Sequence, residues 1–174
     1  MQIPHSKRAS EPLLIGFLTA LEADGAVLGG YLVLNPAARP VEFHCTAPLR
    51  ANRAQEILYG PTLRPYLYGE QVGHTLLTKS KLRPALVLTD SEPMLSVRGA
   101  CEVLIACLVD VADTADAHHA QLGAAAVALP RGHADDRDAL LEQWSRLDRD
   151  FDVREPFARI HEAINEAQKS RKAA

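Results

Sequence analysis

LLIGFLTALEADGAVLGGYLVLNPAARPVEFHCT, residues 13–46, is the stretch of sequence that decides the fold. Asp24-Gly25 stands between two apolar runs, which is a strong local signal for a hairpin turn. Asn35-Pro36 then ends the second run with turn chemistry, and the third run alternates apolar and polar side chains. The pattern predicts three strands in an antiparallel meander, at 13–22, 26–34 and 41–46.

A helical region follows the meander. Residues 51–59 predict a short helix, and Thr62 can cap a second helix that runs to about residue 79. Gly69 and Gly73 lie on one stripe of this second helix, and each glycine costs a helix interior about 1 kcal/mol relative to alanine. Because the close approach of another backbone offsets that cost, we expect the helix to lie tightly against the sheet or a partner.

The rest of the chain adds one clear strand, two ambiguous runs and two helices. Residues 84–90 predict a strand that is buried on both faces, whereas residues 103–109 fit a strand or a buried helix, with strand slightly favoured. We expect a polar loop at 110–121 and leave the alanine-rich run 122–129 unassigned. Amphipathic patterns predict a C-terminal helical pair at 135–149 and 156–169.

These elements predict an α+β fold with a mostly antiparallel sheet that starts with the three-stranded meander. The helices are expected to pack on one face of this sheet, and the helical pair completes the chain. We expect an α+β domain over residues 1–130, in which 1–12 form a flexible arm, and a C-terminal helical extension over 131–174 that packs on it.

Composition narrows the class of protein. The 174 residues carry a formal net charge of −3, which argues against nucleic-acid binding over the whole surface. No apolar run reaches the roughly 20 residues of a membrane-spanning helix. The polar N-terminus lacks the apolar centre of a signal peptide, so we expect a cytoplasmic location. Three cysteines without a CxxC motif favour neither a disulfide framework nor a zinc finger, and no cofactor is predicted.

Charge is distributed unevenly along the chain. Residues 50–83 hold six basic and two acidic residues, whereas residues 84–130 hold one basic and six acidic residues. Such a division can steer an acidic partner to one face of the molecule. Alternatively, the two segments neutralise each other within the fold.

His44 and Cys45 are the first candidates for chemistry. Adjacent residues on a strand point to opposite faces, so the third strand cannot direct both side chains into one site. If Cys45 shares a core face with Val41 and Phe43, it is a small buried apolar residue. A catalytic Cys45 would need a histidine from elsewhere, and His74 on the following helix is the best placed. His44 is expected to bind or pack on the other face.

Acidic residues after two apolar runs give an alternative, a metal site. Asp90 and Glu92 follow one run, and Asp110 and Asp113 follow the next. Carboxylates at the ends of neighbouring strands can hold Mg²⁺ for phosphoester chemistry, although acidic residues after strands are also common turn formers. This alternative describes a small phosphoesterase or nuclease-like enzyme.

Histidines and cysteines downstream give a third pattern. The adjacent pair His118-His119 and His133 can be combined with Cys101 or Cys107 as transition-metal ligands. Their spacing matches no zinc motif. We therefore expect the histidines to be solvent-exposed loop residues and the two thiols to be buried.

Tyrosine and arginine are concentrated between residues 50 and 74. Both residue types are enriched at the positions that dominate the binding energy of protein interfaces. Stacked tyrosines beside basic groups can also hold single-stranded nucleic acid, but no RNA-binding signature is present, and the tyrosines can equally pack the helix on the sheet. The candidate binding residues are His44, Arg50, Arg53, Tyr59, Arg64, Tyr66, Tyr68 and His74.

Three short motifs in the same region carry a resemblance. EFHCTAP, followed by RAQEILYGPTL and PYLYGEQ, resembles an uncharacterised bacterial protein family of similar length over residues 13–90. The resemblance implies no known activity, so it assigns no role to any residue.

The sequence therefore predicts a non-enzymatic protein-interaction or assembly module of a bacterial complex, one that self-associates as a homo-oligomer. This hypothesis depends on the lack of a convincing catalytic set and on the tyrosine-rich and arginine-rich region. The alternatives are the metal-dependent enzyme at the strand-end carboxylates and a cysteine-dependent enzyme that uses Cys45. The expected partner is a protein or a second copy of the chain, with neither nucleic acid nor a membrane.

Overall fold

Seven strands form a single mixed sheet within residues 13–113, 115–147 and 152–173, the part of the chain that the computed structural model describes. The strands are β1 (Ile15–Ala23), β2 (Ala26–Leu34), β3 (Pro40–Cys45), β4 (Leu86–Thr89), β5 (Ile105–Val109), β6 (His119–Leu122) and β7 (Ala125–Ala128). Their order across the sheet is β3-β2-β1-β4-β5-β7-β6. β3 and β6 are therefore the two edge strands.

The predicted three-stranded meander is confirmed. β1 pairs antiparallel with β2 along its whole length, and β2 pairs antiparallel with β3. Asp24 and Gly25 make the connecting turn with φ angles of 52° and 70°. Positive φ at both central residues gives a two-residue turn the twist that suits the flanking strands.

The expectation of a mostly antiparallel sheet is wrong, because the centre of the sheet is parallel. β4 pairs parallel with β1, and β5 pairs parallel with β4. Parallel neighbours require a long connection that returns the chain to the same end of the sheet, and helical segments supply it after β3 and after β4. A local sequence pattern indicates a hairpin, in which each strand pairs with the next one in the chain. It does not indicate which strand a long connection leads back to, so it predicts only the antiparallel pairing of β1, β2 and β3.

Strands also occupy part of the region expected to be a loop. β6 lies at the end of the predicted loop 110–121, so that assignment is wrong from His119 onward. β7 lies in the unassigned run 122–129 and pairs antiparallel with β6 across a turn in which Gly123 has a φ of 60°. The slight preference for strand at 103–109 agrees with β5.

Helices connect these strands and end the described chain. After β3 come α1 (Arg53–Tyr59), a 3-10 turn (Gly60–Thr62), α2 (Leu63–Pro65), a π-helical segment (Tyr66–Gly73) and α3 (His74–Lys79). A 3-10 helix, Glu92–Gly99, follows β4 and is called here the 92–99 segment. α4 (Asp136–Ser145) and α5 (Glu155–Ala173) lie where the C-terminal pair is predicted. No helix in these described ranges is both long and apolar enough to cross a bilayer.

Helices cover both faces of the sheet, which corrects the expectation of one covered face. Gly29 and Gly30 are neighbours on β2 and therefore point to opposite faces. A Cβ on Gly29 would collide with Val72, whereas a Cβ on Gly30 would collide with Ile160 of α5. β2 is buried along its whole length, as a strand between two helical layers must be. Two apolar cores result, one on each face.

The glycine stripe of the second helix is a place of close packing. A Cβ on Gly69 would fall on the Ser96 hydroxyl and lie 2.6 Å from the backbone nitrogen of Val97. A Cβ on Gly73 would lie 2.8 Å from Met94 Sδ. The expected close approach is confirmed, but the backbone that approaches these glycines belongs to the 92–99 segment and not to the sheet or a partner.

α4 and α5 contribute to the core of the sheet. Leu140 of α4 and Phe157, Ile160 and Ile164 of α5 are buried in one apolar cluster with β1 and β2. The Phe157 ring meets the Phe17 ring edge to face, with centroids 5.5 Å apart. The division of the chain near residue 130 into a domain and an extension stays a prediction, and the predicted arm 1–12 lies outside the described residues.

Candidate functional site

Four of the candidate binding residues lie near one end of the helical region. The rings of Tyr59 and Tyr66 stack with their centroids 4.1 Å apart. The Arg64 guanidinium lies 5.2 Å from the centroid of the Tyr68 ring, and the Tyr68 hydroxyl donates a 2.7 Å hydrogen bond to Glu22. Tyr68 is a core residue, 3% exposed, and its burial raises its pKa. Tyr59 and Tyr66 are half-buried at the surface.

Arg50 and Arg53 flank the start of α1. The Arg50 guanidinium donates to the backbone oxygen of Asp24 in the hairpin turn. Arg53 forms a 2.9 Å ion pair with Glu56, and both side chains are largely exposed. Between the arginines, Asn52 begins α1 with a capping box that fixes the helix start. Arg50 therefore joins the segment before α1 to the hairpin turn, whereas Arg53 makes an exposed ion pair within α1.

His44 lies away from this group, beside Glu42 and the loop after α3. His44 Nε2 is 2.6 Å from Glu42 Oε1, and the same carboxylate accepts hydrogen bonds from the Ser80 hydroxyl and from the backbone N–H groups of Lys81 and Leu82. Burial alone would raise the pKa of Glu42, but these donors outweigh burial and lower the pKa to about 2. His44 is one of the donors to a structural carboxylate.

Cys45 and His74 lie on opposite sides of the sheet. Cys45 pairs with Gly30 and shares the face that α5 covers. His74 begins α3, whose helical unit packs on the Gly29 face, and its side chain is exposed. The structure therefore does not bring the proposed cysteine and histidine together.

The interpretation of Val41, Phe43 and Cys45 as a core face is wrong. All three side chains are exposed or nearly so. β3 is an edge strand, and the loop after α3 covers its other face through Glu42 and His44. The covered face of this strand is thus the polar one, which alternation alone cannot reveal.

The four strand-end carboxylates do not gather into one cluster. Asp110 follows β5 and lies 3.7 Å from Arg154. Asp90 follows β4, and its contacts are with Thr19 and His161. Within the described residues, no group of three or more histidine, cysteine, aspartate or glutamate side chains is arranged to hold a metal ion. Glu92 and Asp113 add no ligand set to either carboxylate.

Asp90 takes part in a contact that joins three elements. Thr19 is fully buried on β1, and its hydroxyl donates a 2.5 Å hydrogen bond to Asp90 Oδ1. His161 Nε2 on α5 lies 3.2 Å from Thr19 Oγ1 and 3.8 Å from Asp90 Oδ2. Because the threonine proton is directed to Asp90, its oxygen accepts from the Nε2–H of His161. The contact ties α5 to the two central parallel strands.

Replacing Thr19 by valine is expected to lower the free energy of unfolding by about 1–2 kcal/mol, because the change keeps the volume and removes one donor and one acceptor. A double-mutant cycle with Asp90→Ala, followed by urea denaturation, measures the coupling. We expect a coupling of about 1 kcal/mol. Strictly additive effects would show that the two side chains do not stabilise each other.

A cavity of about 690 Å³ lies between the start of α2, the 92–99 segment and the loops around β6 and β7. Its wall combines apolar side chains with arginines and histidines from distant parts of the chain. The expectation that the three histidines are exposed loop residues is wrong, because each is half-buried. The basic and imidazole side chains are Arg64, Arg98, Arg131, His118, His119 and His133.

Several polar side chains of this cavity already have partners. Arg98 forms a 2.8 Å ion pair with Asp136, and this contact raises the pKa of Arg98. Asp116 accepts hydrogen bonds from the backbone N–H and the ring of His118. These bonds lower the pKa of Asp116. The first contact joins the 92–99 segment to the start of α4, and the second lies within the loop before β6.

The sequence analysis did not predict the contact between Thr19 and His161, and it did not place the three histidines on the wall of a cavity. The available signals were a threonine inside the apolar run of β1 and a histidine on the apolar face of α5. A polar side chain at a buried position is nearly always hydrogen-bonded. Its partner, however, is set by tertiary structure.

No protein-family model matches the chain, and no curated protein matches it. Among solved structures, the chain is similar to Ciona intestinalis endonuclease V in complex with a 23mer DNA that contains an inosine, with 14% sequence identity and a TM-score of 0.38. The match covers 59% of this chain and 48% of the endonuclease chain. The chain thus spans about half the length of that protein.

Proposed function

We propose that this protein is a non-enzymatic assembly module of a bacterial cytoplasmic complex, and that it associates with a second copy of itself through α1. The observation that carries the proposal is an ordered helix that buries none of its residues. α1 contributes no buried side chain, and Ile57 and Leu58 are 65% and 83% exposed. Exposed apolar side chains that adjoin one another are typical of interaction surfaces.

The backbone of α1 is set in place although its side chains are uncovered. Seven residues are too few for a helix to be stable in water on its own. The capping box at Asn52 and the Tyr59–Tyr66 stack hold it in position. A surface prepared in this way loses little conformational entropy when a partner binds, which favours association.

Charge around α1 favours a second copy as the partner. Two ion pairs lie in or beside the helix, Arg53 with Glu56 and Arg64 with Glu22. A twofold interface places the same surface on both subunits. Such a surface can meet itself without an excess of like charge, whereas a strongly acidic or basic partner would find no complementary field.

Leu58→Glu is expected to weaken self-association about a hundredfold, because a leucine side chain contributes about 2–3 kcal/mol when it is buried and a glutamate cannot be buried without a partner. Size-exclusion chromatography with light scattering over a range of concentrations measures the change. The matched control is Val111→Glu, which makes a similar change at a side chain that is 79% exposed in another part of the molecule.

The control variant is expected to associate as the wild type does. A wild-type protein that stays monomeric at every concentration would contradict the proposal. Equal weakening by both variants would contradict the assignment of the interface to α1.

A further inference from the structure

We propose that the cavity between the 92–99 segment and the β6–β7 region binds a small organic anion, a phosphate or carboxylate group on an apolar body. The volume of about 690 Å³ lies within the range of small-molecule sites. Leu95 and Leu129 provide apolar wall, together with several prolines. Arg64 borders both this cavity and the α1 surface, but no residue of α1 lines the cavity, so the proposal does not depend on self-association.

Arg131, which is exposed, and His133, which is half-buried, offer side-chain donors to this cavity. In the part of the chain that the structure describes, the side chains of Arg131 and His133 make no hydrogen bond or ion pair. Both line the cavity from the loop after β7. A guanidinium presents a fixed fork of N–H donors that matches the oxygens of carboxylate and phosphate. These donors favour an anionic group at this end of the cavity.

Among the arginines of the cavity wall, only Arg131 has no acidic partner within the described residues. Arg64 and Arg98 also line the cavity, and each already has an acidic partner, Glu22 and Asp136. These partners are not themselves on the cavity wall.

Two acidic residues face the same space. Asp116 is engaged by His118, whereas Glu92 is exposed on the wall and forms no ion pair among the described residues. Glu92 is therefore the group that opposes an anion. Removing the charge of Glu92 is expected to strengthen binding of the anion, whereas removing the charge of Arg131 is expected to weaken it.

The test uses three probes that share a phenyl ring and differ in the head group: phenyl phosphate, benzoate and benzyl alcohol. Binding to the full chain is followed by NMR titration of backbone amides, with wild-type protein at low ionic strength. We expect either or both anions to shift the amides of residues 94–99, 128–129 and 131–133, and benzyl alcohol to shift them much less. The stronger anion distinguishes phosphate from carboxylate recognition.

Three variants complete the test. Arg131→Gln is expected to weaken binding of the anion about tenfold or more, because a hydrogen bond to a charged group is lost. Glu92→Gln is expected to strengthen it a few-fold. Arg39→Gln changes the net charge equally at the turn between β2 and β3 and is expected to change nothing.

The proposal is overturned if neither anion shifts the cavity amides, or if benzyl alcohol binds as tightly as the anions. It is also overturned if Arg39→Gln weakens binding as much as Arg131→Gln does, since the effect would then be general charge attraction. The titration detects binding at the cavity whether the protein is a monomer or an oligomer. Its failure is therefore distinguishable from failure of the self-association proposal.

Discussion

Gly69→Ala is expected to lower the free energy of unfolding by about 2–3 kcal/mol. The added Cβ would fall on the Ser96 hydroxyl and lie 2.6 Å from the Val97 backbone nitrogen. A backbone atom cannot move aside as a flexible side chain can, so the helix and the 92–99 segment must separate. The higher helix propensity of alanine would stabilise the protein by about 1 kcal/mol. The expected loss of about 2–3 kcal/mol is the steric cost after this gain is subtracted.

Gly99→Ala is the matched control for this prediction. Gly99 lies in the same 92–99 segment, and a Cβ there would meet no atom within 4 Å. Its effect is expected to stay within about 0.5 kcal/mol. Urea denaturation of both variants, followed by circular dichroism, checks the prediction. Equal stability of the two variants would show that the segments do not pack as described.

Glu42→Gln is expected to destabilise the protein by about 2–3 kcal/mol at neutral pH. The Glu42 side chain is only 12% exposed, and its carboxylate accepts from Ser80, Lys81 and Leu82. A glutamine has one acceptor oxygen and directs an NH₂ group toward some of these donors. Buried donors are then left unpaired.

The same carboxylate makes stability depend on pH. Burial opposes ionisation, but the hydrogen bonds to Glu42 prevail and lower its pKa from 4.5 to about 2 in the fold. Because the folded pKa is the lower one, the stabilisation is fully present above pH 4.5 and is lost as the pH falls toward 2. The difference between wild type and Glu42→Gln should therefore shrink over that interval.

Chemical denaturation at several pH values measures this difference. Glu56→Gln is the control, since Glu56 forms an exposed ion pair with Arg53 and such pairs contribute little. A wild-type advantage over Glu42→Gln that is constant between pH 5 and 2 would contradict the assignment of this titration to Glu42.

The antiparallel half of the fold could be predicted from the sequence because its signals are local. Asp24-Gly25 and Asn35-Pro36 mark turns between runs that pair with their sequence neighbours. The parallel half could not, because the position of β4 beside β1 depends on how the helical region 53–79 crosses the sheet. Hydrophobic patterns state which residues are buried, not which strand lies next to which.

The candidate site divides in the same way. Tyr59 and Tyr66 are seven positions apart in one helical region and stack on each other. The sequence analysis therefore predicts both as members of one candidate binding surface. Glu42 and Ser80 meet across 38 positions of sequence, and no local pattern signals such a contact. Arg131 and His133 line the cavity only because the loop after β7 lies beside the 92–99 segment. Tertiary packing sets this arrangement, so no local pattern predicts it.

The hydrogen bonds of Thr19 have a consequence for the order in which the chain folds. Its partners lie 71 and 142 residues farther along the sequence. Closing such long loops carries an entropic cost that earlier, local contacts must offset first. During synthesis the β1–β2–β3 meander can form early, but the hydrogen bonds of Thr19 form only after α5 has left the ribosome. Until then the face of β1 that α5 covers stays exposed to other chains.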